Sequence, residues 1–133
     1  MKALAKYSMG IGDRFGRQGE AQLEAFKRFR EQCGVEVVPV WNKSDREHKT
    51  IGTRPESVRQ EADAAAAKVG WTAPYHVDAD HIRLATVDGF IASSDFFTLD
   101  VADYMGETTD EAEIYGFVAR HEELIGSHAI EGL

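Results

Sequence analysis

Apolar segments alternate with amphipathic segments four times along this chain. We interpret the four apolar segments as strands, and they lie at 6–11, 35–41, 73–77 and 96–99. Apolar positions recurring every three or four residues predict a helix after each strand, at 19–32, 53–69, 86–92 and 108–125. A strand followed by a helix four times predicts an α/β fold, with a parallel sheet and right-handed crossovers.

The helix boundaries carry local signals of their own. Thr53-Arg54-Pro55-Glu56 and Thr108-Thr109-Asp110-Glu111 have the spacing of capping boxes, the first with a proline in the first turn. Gly34, Gly70 and Gly126 follow the first, second and fourth helical patterns, where a glycine commonly ends a helix. These signals support the predicted division of the chain into strand–helix units.

The length of 133 residues predicts a single domain covering 1–133. A complete barrel of eight strand–helix units needs about 250 residues. Two architectures are therefore compatible with the pattern: a (βα)4 half of a TIM-type barrel, with helices outside a parallel sheet, or a small open α/β sheet. Composition does not decide between them.

Charge and composition exclude several classes of protein. Fifteen Lys and Arg against 23 Asp and Glu give a net charge of −8, which argues against a nucleic-acid partner. No apolar run approaches the roughly 20 residues that span a membrane, and no signal-peptide pattern opens the chain. The single cysteine fits a reducing compartment. We therefore expect a cytoplasmic protein without a membrane or nucleic-acid partner.

Polar residues follow all four predicted strands. The sets are Asp13 and Arg14, then Asn42, Lys43 and Ser44, then Asp78, Asp80 and His81, and last Asp100 and Asp103. Loops are polar in any protein, so a single set carries little weight. In parallel α/β folds, however, the carboxyl ends of the strands share one face, and sites are built there. The repetition in four units favours a site.

The sharpest of these sets is Asp78-Ala79-Asp80-His81. A carboxylate beside an imidazole suits a divalent transition metal or a general base, while an ordinary Asx turn is the alternative. Two ligands are too few for a metal site, so further ligands must come from other strands or from outside this chain.

The segment 42–53 is long for a connection between a strand and a helix, and it is cationic. Lys43, Arg46 and Lys49 could bind an anionic group, or they could form a solvated lid paired with Asp45 and Glu47. Gly10-x-Gly12-x-x-x-Gly16 has one residue too many for a dinucleotide fingerprint. A tight loop that lets Asp13 and Arg14 reach a ligand is the better use of those glycines.

Three segments together resemble the tagaturonate epimerase family. They are Ser8 to Gly16, Ala73 to His81 and Thr98-Leu99-Asp100, and the resemblance covers roughly 7–103. It implies a barrel enzyme that uses a divalent metal to interconvert the keto-hexuronates tagaturonate and fructuronate. It also implies that Asp80 accepts a proton and that His81 binds the metal, with the remaining ligands and the proton donor on later strands that this chain lacks.

Two other functions compete with this hypothesis. One is a metal-dependent sugar isomerase or aldolase of the same barrel class, and the other is a non-catalytic half-barrel that forms a dimer. For an epimerase, the inverted carbon is not adjacent to the ketone, so its C–H is not acidic. A retro-aldol route avoids this difficulty and needs a carboxylate base and a Lewis acid. We expect either a homodimer or a missing second half-barrel to complete the fold.

Overall fold

Four parallel strands lie side by side in chain order. The computed structural model describes residues 5–129. In this range the strands are β1 (Ser8–Gly12), β2 (Val38–Ser44), β3 (His76–Ile82) and β4 (Phe96–Leu99), paired in the order β1-β2-β3-β4. All three pairings are parallel. The predicted α/β class is confirmed, and the architecture is that expected of half a TIM-type barrel.

The helices differ from the prediction in two places. Among residues 5–129 the α-helices are α1 (Gly19–Cys33), α2 (Asp45–Ile51), α3 (Glu56–Val69) and α4 (Glu111–Arg120). The predicted loop 42–53 is wrong because it contains the end of β2 and the whole of α2. The helix expected at 86–92 is reduced to a 3₁₀ turn at Val87–Gly89.

The capping boxes lie elsewhere than predicted. Ser44 caps α2: its hydroxyl accepts a hydrogen bond from the Glu47 backbone, and the Glu47 carboxylate accepts one from the Ser44 backbone. Thr53 does not cap α3, since its hydroxyl instead lies 2.9 Å from Nδ1 of His48. In α4 the cap is Asp110, whose carboxylate accepts a hydrogen bond from the backbone of Ala112.

One face of the sheet packs against α1 and α3. Ile11, Trp41 and Val77 are successive partners across β1, β2 and β3, and all three lie in the main hydrophobic core. Leu23 of α1 and Ala62 of α3 join them there, both completely buried. Burying a side chain such as Leu23 contributes about 1.5–3 kcal/mol. This core fixes which strand residues point away from the helices.

Strand residues of the opposite parity define what we call the far face of the sheet. Its members from β1 to β3 include Ser8, Gly10, Gly12, Val38, Val40, Asn42, Ser44, His76, Asp78 and Asp80. Most of the polar residues that sequence analysis assigned to loops therefore belong to strands.

Residues 5–100 and 101–129 form two separate compact units. The first contains the whole sheet with α1, α2 and α3. The second contains α4 and two 3₁₀ turns, at Ala102–Tyr104 and Glu122–Leu124. The apolar stripe predicted in the last helix is present, but none of its side chains is buried. None of the helices described is long and apolar enough to span a membrane.

Candidate active site

The Asp78-Ala79-Asp80-His81 segment lies inside β3, not after it. Sequence analysis ended this strand at Val77, and that boundary is wrong because β3 continues to Ile82. Polar residues occur within the strand because alternate positions point to the far face, away from the hydrophobic core. Asp78 lies opposite Asn42, and Asp80 lies opposite Ser44.

A bulge near the end of β3 contains Asp80 and His81. Ala79 and Ile82 both pack in a small hydrophobic core with Phe90, and pairing with β4 shifts register between them. Two residues therefore occupy the place where regular alternation allows one. His81 takes up the irregularity with a positive φ of 54°. Its Nε2 lies 3.8 Å from Oδ1 of Asp80.

The two side chains differ in exposure. The His81 side chain is 63% exposed, whereas that of Asp80 is 18% exposed. An exposed imidazole can approach a ligand that enters from solvent, and the carboxylate of Asp80 beside it is largely shielded from solvent. Of the polar residues at the strand ends, we therefore take Asp80 and His81 as the main candidates for catalysis.

Asp78 has a structural role in joining β3 to β4. Its carboxylate accepts hydrogen bonds from the backbone N–H and the hydroxyl of Thr98. Burial raises the pKa of Asp78 above its ordinary value, the Thr98 hydroxyl counteracts part of this, and the neighbouring Asp80 carboxylate adds to it. Asp78 is thus already engaged at the edge of the candidate site.

Asp13 organises the loop between β1 and α1. Its carboxylate accepts hydrogen bonds from the backbone N–H groups of Phe15, Arg17 and Gln18. Partial burial raises the pKa of Asp13, but these bonds outweigh the effect and leave the pKa below its ordinary value. The loop presents Arg14, whose Nε lies 3.5 Å from Oε1 of Glu47 in α2.

The three cations of the predicted loop occupy different places. Lys43 is only 3% exposed and shares the parity of Trp41, so its expected position in an exposed loop is wrong. Arg46 is exposed on α2. Lys49 is also exposed on α2, and its Nζ lies 2.6 Å from a carboxylate oxygen of Asp45. Arg14, Arg46 and Lys49 are therefore exposed cations at the carboxyl ends of β1 and β2.

Buried titratable groups surround Lys43 on the helix side of the sheet. Burial lowers the pKa of His48, and the charge of Lys43 lowers it further. Burial is the main cause that raises the pKa of Glu61 to about 6. The negative charge of Asp13 raises this pKa further, and the positive charge of Lys43 lowers it. Sequence analysis did not single out Glu61, because a glutamate in an amphipathic helix carries no sign of burial.

No group of three or more His, Cys, Asp or Glu side chains within 5–129 is placed to hold a metal ion. His81 and Asp80 are adjacent potential donors at the end of β3. A divalent transition metal accepts imidazole and carboxylate ligands, so the two residues fit such an ion chemically.

Asn42 is a far-face residue that sequence analysis noted without assigning it a role. A Cβ atom added at Gly12 would lie 3.0 Å from its Oδ1, and one added at Gly10 would lie 3.6 Å from its Nδ2. The carboxamide thus lies against the bare backbone of β1. Only the strand pairing reveals this arrangement, since Asn42 is distant in sequence from the two glycines.

Comparison with known proteins identifies relatives for this fold. Two crystal structures of the fructuronate-tagaturonate epimerase UxaE from Cohnella laeviribosi, with one and two glycerol molecules, are similar. The first has a TM-score of 0.61 and 22% identity, and the match covers 90% of this chain and 27% of that one. The second has a TM-score of 0.62 and 23% identity, covering 89% of this chain and 24% of the other. This chain therefore spans about a quarter of their length.

Comparison with curated proteins finds no match. The model of the family UxaE, described as tagaturonate epimerase, matches residues 1–129. That match includes the glycine-containing loop after β1, the Asp80–His81 pair and the whole sheet. The chain therefore belongs to the tagaturonate epimerase family.

Proposed function

We propose that this chain supplies part of the active site of a cytoplasmic epimerase that interconverts tagaturonate and fructuronate with a divalent metal. The observation that carries the proposal is the bulge in β3, which gives Asp80 and His81 adjacent positions at the carboxyl end of the sheet. Family membership supports the choice of substrate.

In this proposal Asp80 is the general base. Its carboxylate removes the proton from the hydroxyl on the carbon to be inverted. The bond from that carbon to its neighbour beside the ketone then breaks, and the electron pair passes into an enediolate. The resulting aldehyde rotates, the bond forms again through its other face, and Asp80 returns the proton. Atoms and electrons balance without an external oxidant or reductant.

His81 is the proposed metal ligand in this chain. Its imidazole is mostly exposed, so a metal ion can approach it from solvent. The metal, when bound, supplies a Lewis acid for the substrate's ketone oxygen. The other ligands belong to residues beyond this chain, since Asp80 and His81 alone do not complete a site.

The substrate carboxylate requires a cation near the carboxyl ends of the strands. Arg14, Arg46 and Lys49 are exposed or largely exposed and lie on the β1–α1 loop and on α2. Guanidinium groups bind carboxylates through paired hydrogen bonds. We assign this role to Arg46 first, because the guanidinium of Arg14 is paired with Glu47 and the ammonium of Lys49 is paired with Asp45.

The decisive experiment measures epimerisation of tagaturonate by the full-length protein and by two variants. Asp80→Asn should retain the metal and lose turnover by about 10²–10⁴-fold, because the base is gone while the shape is kept. His81→Gly should lose both metal and turnover, while the glycine accommodates the positive φ. Asp88→Asn, at an exposed turn outside the site, is the matched control and should behave as wild type.

A substrate screen distinguishes the competing enzyme functions. Turnover of a neutral or phosphorylated sugar in preference to hexuronates would favour the isomerase or aldolase alternative. An Asp80→Asn variant with wild-type turnover, or a His81→Gly variant with stoichiometric metal, would refute the assigned roles.

A further inference from the structure

We propose that Asn42 is a substrate-binding residue whose carboxamide hydrogen-bonds to a hydroxyl group of the polyhydroxy-acid substrate. The inference rests on the proposed function for the identity of the sugar acid, and it adds a residue that the proposed chemistry does not use. It is carried by the position of Asn42 on the far face, between the bare backbone of β1 and the carboxylates of β3.

The glycines of β1 create the space that the carboxamide occupies. Gly10 and Gly12 both present no side chain to the far face, and the amide of Asn42 lies over them. An alanine at Gly12 would come within 3.0 Å of Oδ1 and would have to displace the amide. Because Gly10 and Gly12 have no side chains, the carboxamide lies close to the sheet. No side chain from these two positions fills the space above it.

The carboxamide also has an unsatisfied acceptor. Oδ1 of Asn42 is buried and has no hydrogen-bond partner among residues 5–129, and native proteins rarely leave such an atom unpaired. Asn42 as a whole is only partly buried. Because the terminal torsion of asparagine is soft, either edge of the amide can turn toward a molecule above the sheet.

Two neighbouring polar groups on the far face, on Ser44 and Asp78, are already engaged. The Ser44 hydroxyl belongs to the capping box of α2, and the Asp78 carboxylate holds Thr98. Asn42 lies directly opposite Asp78 and one far-face position before Ser44, which is opposite Asp80. The carboxamide of Asn42 is therefore available to bind a ligand next to the proposed base, Asp80. An amide can donate to and accept from hydroxyl groups, whereas the adjacent carboxylates in their charged forms can only accept.

Epimerisation kinetics test this role in the full-length protein. Asn42→Ala should raise KM for tagaturonate about tenfold, the effect of one lost hydrogen bond, with a smaller change in kcat. The same variant should show little further loss with a deoxy analogue that lacks the contacted hydroxyl. Gly12→Ala should raise KM in the same direction by displacing the amide. Gly89→Ala, where a Cβ meets nothing within 4 Å, is the matched control.

A direct binding measurement separates this inference from the proposed function. Tagaturonate is titrated into ¹⁵N-labelled wild-type protein, and the Asn42 carboxamide resonance, identified by its loss in Asn42→Ala, should shift saturably. A saturable shift without epimerisation would leave the inference standing and refute the proposed function. Epimerisation with unchanged KM in both variants and an unmoved resonance would overturn the inference alone. Neither binding nor epimerisation would overturn both.

Discussion

The carboxylate of Asp78 accepts two hydrogen bonds from Thr98, at 3.0 Å from the backbone nitrogen and 2.7 Å from the hydroxyl. Asp78 is only 5% exposed, so these bonds replace water around a buried charge. They attach β4 to β3 directly below the bulge that carries the proposed base. The stability of the sheet edge and the geometry of the site thus depend on the same contact.

We expect Thr98→Val to lower the free energy of unfolding by about 1.5–3 kcal/mol, the range for a hydrogen bond to a charged group. Thermal or denaturant unfolding measures the change. Thr98→Ser keeps the hydroxyl and should lose much less. Thr50→Val removes an exposed hydroxyl on α2 and should change stability by less than about 0.5 kcal/mol. Equal losses in the Thr98 and Thr50 variants would contradict the role of this contact.

Glu61 should make stability depend on pH. Its pKa of about 6 in the folded protein exceeds the ordinary value of 4.5, so the folded state holds its proton more tightly than the unfolded state. Its contribution to stability is therefore present below about pH 4.5 and is lost as the pH rises through about 6.

Glu61→Gln should abolish this dependence. Because the carboxyl is only half buried, we expect the variant to be more stable by about 1 kcal/mol near pH 7.5, with little difference near pH 4. Denaturant unfolding of both proteins across this range measures the effect. Glu20→Gln, an exposed residue paired with Lys68, serves as the control. A constant difference between Glu61→Gln and wild type at all pH values would disprove the assignment.

Loss of a cation that binds the substrate carboxylate should weaken binding. Arg46→Ala should cost about 1.5–3 kcal/mol, or about 10–150-fold in affinity, without changing stability because Arg46 is exposed. Lys49→Ala should cost less, since Asp45 already pairs with the ammonium. Calorimetric titration with tagaturonate measures both, with the exposed Arg28→Ala of α1 as control. Unchanged affinity in both α2 variants would show that these cations do not bind the substrate and are only solvated surface groups.

The isolated chain of 133 residues should self-associate. Among residues 5–129, β1 pairs only with β2 and β4 only with β3, which leaves both sheet edges unpaired. Apolar side chains also line a groove beside β1, among them Met9, Phe26 and Phe29. A dimer is the simplest arrangement that covers such an edge.

Light scattering at micromolar concentration tests this expectation. Met9→Glu places a charge in the groove and should reduce association, while Leu84→Glu, at a more exposed position that follows β3, should not. A stable wild-type monomer would contradict the prediction, and association that both variants weaken equally would show that the β1 groove is not the contact.

The parallel strands and the helices α1 and α3 could be predicted because each depends on local pattern. The run from Val38 to Trp41 and the alanine-rich stripe of α3 have the apolar spacing of their elements. The end of β3 could not be predicted in this way, because Asp78 and Asp80 resemble a turn. Their place in the strand depends on Thr98 and on the bulge, which are contacts between distant parts of the chain.

The same distinction between local pattern and distant contacts decides which site residues could be placed from the sequence. Asp80 and His81 are neighbours in sequence, so their proximity follows from the chain itself. Lys43 was expected in a loop with Arg46 and Lys49, but the extension of β2 through Ser44 gives Lys43 the parity of Trp41 and buries it. Strand alternation decides its position, and charge does not reveal where a strand ends.

The extra residue in β3, His81, is used by the proposed chemistry but is not needed for packing of the fold. Ala79 and Ile82 maintain packing on the helix side, and Asp80 alone would satisfy regular alternation between them. A chain shortened by His81 could thus retain its core and its pairing with β4. Protein folding would not select for this residue, so its retention in a population of sequences would record selection on the reaction itself.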